Sequence, residues 1–307
     1  MRNSKITISG ELGSGKTVLG KLLCEKLFFK LISVGGIQRD MAQSYGMTTL
    51  DFNKYMETHP EIDTECDNKV IGYGLSAENL ILDSRMAWHF VPHAFKIHLI
   101  VSNEIAAKRI LADDKRKNET YSDLKEAMEQ IKSRKNSEVK RFKEQYNVDI
   151  DDLSNYNLII DTSYISPEEL ADFVVKKFLC WQNEITPHNI WLSPINLIPT
   201  QSIKEHSGSY SQPIGKSIID EQEPVKIIKW DNYYYFIYDG HKRISASIQI
   251  KQNLIPALFI EKKDTLSFDQ SVEEYLKDNY SITNVNEWED MHDLKFNILT
   301  PPSVLLL

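Results

Sequence analysis

Gly10-Glu11-Leu12-Gly13-Ser14-Gly15-Lys16-Thr17 is the stretch whose reading decides the fold of this 307-residue chain. It fits the pattern GxxxxGK[ST], and it stands where that pattern has physical meaning. Just upstream, Lys5 to Ser9 (KITIS) is a short β-branched run that ends at Gly10, which predicts a buried strand. Just downstream, Val18, Leu19, Leu22, Leu23 and Leu27 recur at helical spacing from Lys16 onward. Strand, glycine loop and helix in that order aim free backbone N–H groups and a positive helix N-terminus at one point, where phosphate oxygens can be wrapped. The expected binding residues are Gly10, Gly13, Ser14, Gly15, Lys16 and Thr17. The glycines let the backbone approach a β-phosphate, Lys16 can bridge the β- and γ-phosphates, and the Thr17 hydroxyl can complete a Mg²⁺ shell. ATP and Mg²⁺ are therefore the expected cofactors. No NKxD-type guanine signature accompanies the loop, which argues against a GTPase.

Working outward, further short apolar runs lie at Leu31 to Val34, Glu78 to Asp83, Lys96 to Val101 and Leu158 to Asp161. Helical patterns separate them: one after a Gly35-Gly36 break through Ser44, then Glu104 to Leu111, Tyr121 to Tyr146 and Pro167 to Trp181. Proline after Ser166 is a good helix start. Alternating strands and helices call for a parallel sheet covered on both faces. The fold class expected is α/β, a P-loop NTPase sheet flanked by helices, with a smaller α+β domain after it. The texture changes beyond Trp181, where prolines gather at Pro187, Pro194, Pro199, Pro213 and Pro224. The boundary is placed near residues 182–189, giving domains 1–183 and 189–307. In the second, Val225 to Trp230, Tyr233 to Tyr238 and Ile255 to Ile260 read as strands, with a helix over His241 to Lys251.

Composition excludes several classes of function. Net charge is −8, and residues 181–307 carry 11 basic against 17 acidic side chains, so general attraction to nucleic acid or to an anionic membrane is not expected. The three cysteines, Cys24, Cys66 and Cys180, are far apart and form no CxxC spacing, which points away from zinc and from a disulfide framework. No run approaches the roughly 20 apolar residues that span a bilayer, and the N-terminus shows no apolar signal segment. A cytoplasmic protein without membrane partners is the expectation. His89 and His93 are four apart, but Pro92 lies between them and no third ligand is apparent, so ordinary histidines are expected there.

Transfer between two phosphate groups needs cations on both, and arginine suits both through its bidentate fork. Arg39 follows the second strand, Arg85 the third and Arg109 the fourth, while Arg134 and Arg141 lie seven apart on the long charged helix. At this level of detail residues 5–178 resemble the short cytidylate kinases of archaea and many bacteria. The matching stretches are Ile6 to Thr17 (ITISGELGSGKT), Leu31 to Ala42 (LISVGGIQRDMA), Gly46 to Asp63 (GMTTLDFNKYMETHPEID) and Ser137 to Ser163 (SEVKRFKEQYNVDIDDLSNYNLIIDTS). The resemblance implies that nucleotides are the substrates, with CMP or dCMP first as acceptor. It implies that Ser33, Arg39 and Arg85 hold the acceptor, and that Arg134 and Arg141 act with Lys16 as lid arginines on the transferring phosphoryl group. Thr17 and Asp83 are the candidate Mg²⁺ residues, Asp83 acting through water or serving only as a strand-end turn residue. One departure bears on the acceptor. The family usually carries Gly-Arg-Leu-Ala-Gly where this chain has Ser84-Arg85-Met86-Ala87-Trp88, and Trp88 with His89 could fill part of the acceptor pocket.

In the second domain a strand runs into Asp239-Gly240-His241-Lys242-Arg243 and then a helix. Free N–H groups beside two cations make a candidate anion site of Asp239, Gly240, His241 and Arg243, or merely a tight strand-to-helix joint. With Trp191 to Gln201 and the EPVKII segment, the region over about 190–262 resembles the ParB/sulfiredoxin-like superfamily. Sulfiredoxin chemistry needs a cysteine near His241 and none is present. The rival functions left open are a kinase for another acceptor, such as a modified pyrimidine or a free amino acid, and a non-enzymatic nucleotide sensor.

Overall fold

The computed structural model describes residues 4–47, 52, 55, 59–113, 121, 123–185, 188–204, 223–230, 234–261, 263–266 and 269–296. The chain divides into two compact units, residues 1–101 with 106–186 and residues 187–307 with 102–105.

The first unit begins with β1 (Lys5–Gly10), α1 (Lys16–Leu27), β2 (Lys30–Ser33), α2 (Val34–Ser44) and α3 (Pro60–Leu75). It continues with β3 (Leu80–Asp83), α4 (Ala87–Phe90), β4 (Phe95–Ile100), α5 (Asn103–Leu111), α6 (Leu124–Tyr146), β5 (Leu158–Asp161) and α7 (Pro167–Gln182). Its strands stand in the order β2-β3-β1-β4-β5, and every neighbouring pair is parallel. That arrangement explains the near-continuous apolar runs: Ile6, Ile8, Leu80, Ile81, Leu82, Ile97, Leu99 and Leu158 are all buried, because helices cover both faces. The expected strands are present with their ends shifted by a residue or two.

Two features differ from the sequence expectation. Gly35 and Gly36 were expected to break the chain, yet α2 begins at Val34 and runs through them. Its Met41 and Ala42 pack with Phe52, Ile62 and Cys66, and that burial outweighs the poor helix propensity of glycine. Helix α3 was not foreseen. Pro60 occupies its first turn, and Ile62, Cys66 and Val70 bury one face at four-residue spacing amid Glu61, Asp63, Glu65 and Asp67. The later helices carry clear start signals. The Asp123 side chain accepts the Glu126 N–H at the start of α6, and Ser166 with Glu169 forms a capping box at α7. Among the described residues no helix is long and apolar enough to cross a membrane.

The second unit holds β6 (Ile190–Leu192), β7 (Leu197–Ile198), β8 (Val225–Lys229), β9 (Tyr235–Asp239), α8 (His241–Gln249), β10 (Ile255–Glu261), α9 (Val272–Asn279) and α10 (Ile282–His292). Its strands stand in the order β6-β10-β8-β9-β7. The pairing is mixed: β10 runs antiparallel to β6 and parallel to β8, while β9 runs antiparallel to β8 and parallel to β7. Ile228 and Phe236 pair across β8 and β9. They pack with Val272, Tyr275, Leu276 and Val285 of α9 and α10. Those two helices lie outside the elements expected from the sequence, although Ser271 and Glu274 form a capping box that marks the start of α9.

Candidate functional site

Register places the site. Ile8 of β1 and Ser33 of β2 both pair with Asp83 of β3, so β2 and β3 end level at their carboxyl edge while β1 runs two residues further, to Gly10, and opens into the loop. In open parallel sheets ligands gather at that edge. Gly10, Gly13 and Gly15 take φ of 143°, 77° and 86°, values that side-chain-bearing residues rarely adopt. At Gly10 an added Cβ would meet the Leu99 carbonyl oxygen at 2.3 Å. At Gly15 it would meet nothing within 4 Å, so the loop's front is open backbone. Gly15 caps α1, and no side-chain hydrogen bond closes its first turn. Lys16 Nζ donates to the carbonyls of Gly10 at 2.7 Å and Glu11 at 2.8 Å, curling over the loop. Ser14 Oγ donates to the Glu11 carbonyl at 2.7 Å, which stiffens the turn from within.

Thr17 Oγ1 donates to Asp83 Oδ2 at 3.1 Å. Burial pushes the Asp83 carboxyl above the ordinary aspartate range, opposed by Lys16, by the Thr17 hydroxyl and by Arg85. The residues fit a magnesium-bound triphosphate: an open glycine cradle, the Lys16 ammonium, and a hydroxyl paired with a buried carboxylate supply the donor set that such a group needs. Ser33 ends β2, half-buried, and leads straight into α2. Arg39 lies on α2, its side chain outside the described residues. Arg85 follows β3, and its guanidinium makes an ion pair with Glu138 of α6. Glu138 also accepts from Arg134 Nε at 3.1 Å, so one carboxylate links two of the expected arginines. Arg141 is exposed, its guanidinium 5.0 Å from the Phe142 ring.

Arg109 does something different from the other arginines. It donates to the carbonyls of Gly13 at 3.2 Å and Thr162 at 2.6 Å, bracing the phosphate loop from behind. Burial lowers its pKa, against the pull of Asp161. Trp88 sits in the core rather than at the strand ends. It is buried against Tyr156, ring centroids 5.3 Å apart, with the Lys96 ammonium 6.0 Å from its ring. His89 packs on Phe90 and Tyr146, and among the described residues no group of three His, Cys, Asp or Glu side chains is set to hold a metal. Sequence reasoning missed Glu11 and Lys135. Glu11 Oε1 accepts from Lys135 Nζ at 2.6 Å, and Oε2 accepts the Val101 N–H at 2.9 Å. The available signal was the acid inside the loop motif; its partner lies 124 residues away.

In the second unit, Gly240 caps α8 with φ of 103°. His241 points inward and is buried, its Nε2 accepting the Thr200 N–H at 3.3 Å and lying 3.1 Å from Thr200 Oγ1. Thr200 Oγ1 donates to the Ile237 carbonyl at 2.6 Å, and Asn284 Nδ2 donates to the Thr200 carbonyl at 3.1 Å. Arg243 donates to the Glu223 carbonyl and, at 3.3 Å, to the largely exposed Asp239. The structure thus brings Asp239, Gly240 and Arg243 together at the turn and sends the His241 ring into the core.

Comparison with known proteins bears on the first unit. Residues 5–164 match the model of the "Cytidylate kinase-like family". A "Cytidylate kinase" of Methanococcoides burtonii is 36% identical over 171 residues, which span 56% of this chain and 94% of that protein. An "S-adenosylmethionine-dependent nucleotide dehydratase" of Lacinutrix mariniflava is 36% identical over 176 residues, 57% of this chain and only 36% of that protein. Among solved structures, a shikimate kinase from Bacteroides thetaiotaomicron aligns over 59% of this chain and 98% of its own, with a TM-score of 0.43 at 17% identity. With the family model covering more than half of its length and the Methanococcoides protein matched almost from end to end, the chain belongs to the cytidylate kinase-like family.

Proposed function

We propose that the chain is a phosphotransferase that moves the γ-phosphoryl group of ATP, with Mg²⁺, to a nucleoside monophosphate, CMP or dCMP before others. The observation that carries this reading is the shared carboxyl edge of β1, β2 and β3, where β2 and β3 end level and β1 runs on into the glycine loop. It sets the phosphate loop, the Thr17–Asp83 pair and Arg85 side by side at one sheet edge. In this reading Gly13 and Gly15 expose backbone N–H groups to the phosphates, and Lys16 swings from its two carbonyls to the β- and γ-oxygens. Thr17 and Asp83 would hold magnesium, which when bound neutralises charge on the phosphate oxygens. Arg85 exchanges Glu138 for the acceptor phosphate, with Ser33 and Arg39 beside it. Arg134 and Arg141 on α6 approach the transferring group and exclude water. Little covalent chemistry is asked of the protein; its work is positioning and charge stabilisation.

The functional domains are proposed as 1–183 and 189–307. For the second, the mixed sheet and the Asp239-Gly240-His241-x-Arg243 turn support a ParB/sulfiredoxin-like reading, and the enzyme's acceptor preference is one property that domain could set.

The test is ADP release from MgATP by the full chain with CMP, dCMP, UMP, AMP, dTMP and serine in turn, with Lys16→Ala as control. Stimulation by CMP or dCMP that depends on Lys16 is the expected result. Stimulation by serine alone would move the reading to an amino-acid acceptor. Lys16-dependent ADP release that no acceptor changes would replace transfer with a nucleotide-sensing ATPase.

A further inference from the structure

A carboxylate inside a phosphate loop works against the loop, because like charges at short range repel. Glu11 is nonetheless fixed there, its side chain 14% exposed. Its backbone N–H donates to the Leu99 carbonyl at 2.9 Å, and its own carbonyl receives Lys16 Nζ and Ser14 Oγ. One carboxylate oxygen takes the Val101 N–H and the other takes Lys135 Nζ. Lys135 is carried on α6, is itself 17% exposed, and has Asp151 as a second, longer contact at 3.5 Å. The loop peptide that holds the resting Lys16 is therefore tied through one half-buried ion pair to the helix that bears Arg134 and Arg141.

We propose that Lys135 is a positioning residue for nucleotide binding: its ammonium cancels the charge of Glu11 and so keeps the phosphate loop receptive to a polyphosphate. The proposal deepens the phosphotransfer reading and rests on the loop being a nucleotide site. It makes an asymmetric prediction. Removing the lysine leaves a carboxylate within the phosphate loop with only the Val101 N–H to offset its charge, whereas removing the glutamate's charge removes the problem itself. A pair that merely braces α6 would suffer alike from loss of either partner.

The experiment measures affinity of the full chain for a fluorescent, methylanthraniloyl-labelled MgATP by anisotropy, with thermal unfolding recorded beside it. Lys135→Met is expected to weaken binding about tenfold or more, as truncating one partner of a buried charge pair does. Glu11→Gln keeps the Val101 hydrogen bond and is expected to bind as tightly as the parent or tighter. The double variant should return to within about threefold of the parent. Equal weakening by both single changes without recovery in the double, or no change in Lys135→Met, overturns the proposal. Should Lys135→Met not fold, Lys135→Arg and the double variant decide: the proposal stands if both bind within about threefold of the parent and falls if either is weak. A parent protein that binds the labelled MgATP yet transfers nothing overturns the proposed reaction and leaves this test intact.

Discussion

The turn at Gly15 and the turn at Gly240 share one local design and have opposite surroundings. Each follows a strand, caps a helix with a glycine of positive φ and has a basic residue within the next three positions. At Gly15 an added Cβ would enter open space; at Gly240 it would strike Val225 Cγ1 at 2.6 Å and lie 3.2 Å from the Arg243 guanidinium. Lys16 is held by two backbone carbonyls of its own loop, while Arg243 donates to Asp239 and to the Glu223 carbonyl. A glycine before a helix supplies the donors, but the space in front of it decides whether a ligand can use them.

Four tests, one of them a pair of substitutions, break or sharpen that comparison. Lys16→Ala is expected to lower acceptor-dependent turnover about a thousandfold, the scale set by removing one aligned transition-state donor; ADP release measures it. Next comes Asp83→Asn, expected to cost about 10- to 100-fold in activity if Thr17 and Asp83 hold magnesium as proposed. The same change should raise the Tm of the ligand-free chain at neutral pH. The reason is that burial raises the folded-state pKa of Asp83, so its ionised form is the costly one. Its contribution to stability is fully present below the unfolded-state pKa and is lost as pH rises through the folded-state pKa, and Tm against pH for parent and variant should diverge accordingly.

The glycine pair itself supplies the third change. Gly15→Ala should spoil MgATP binding more than it lowers Tm. Gly240→Ala should do the reverse, costing about 1–3 kcal/mol through backbone strain and overlap with Val225 while nucleotide affinity in the first unit holds. Identical profiles for the two would erase the distinction. The smallest effect is expected from Arg243→Met, within about 1 kcal/mol, because its carboxylate partner is largely exposed. A clear loss of anion or nucleotide affinity in that variant would show that the second turn is also a ligand site.

The parallel half of the fold was legible because its signals are local. A β-branched run, a glycine loop and a 3.6-residue period each sit within a few positions of one another, and register then brings Thr17 to Asp83. Helix α3 was harder to read, since its apolar face is one residue wide at Ile62, Cys66 and Val70 and charged residues surround it. Trp88 shows the reverse hazard. Its position beside Arg85 in sequence points to the acceptor pocket, but the short helix α4 turns the indole beneath the sheet edge to Tyr156. Long-range charge pairs were invisible for a different reason: nothing near Glu11 announces Lys135, and nothing near Arg85 announces Glu138. His241 stood out by its neighbours in the chain, whereas its partners Thr200 and Trp288 come from elements far away in sequence.

The resting bonds of Lys16 separate affinity from rate. An ammonium held by the Gly10 and Glu11 carbonyls must give up those bonds to reach a phosphate, so part of its attraction for a ground-state nucleotide is offset. In the proposed reaction its advantage would grow further as negative charge shifts toward the leaving diphosphate. On the proposed reading the lysine serves differential more than uniform binding, and its removal should alter the speed of transfer more than the affinity for ATP.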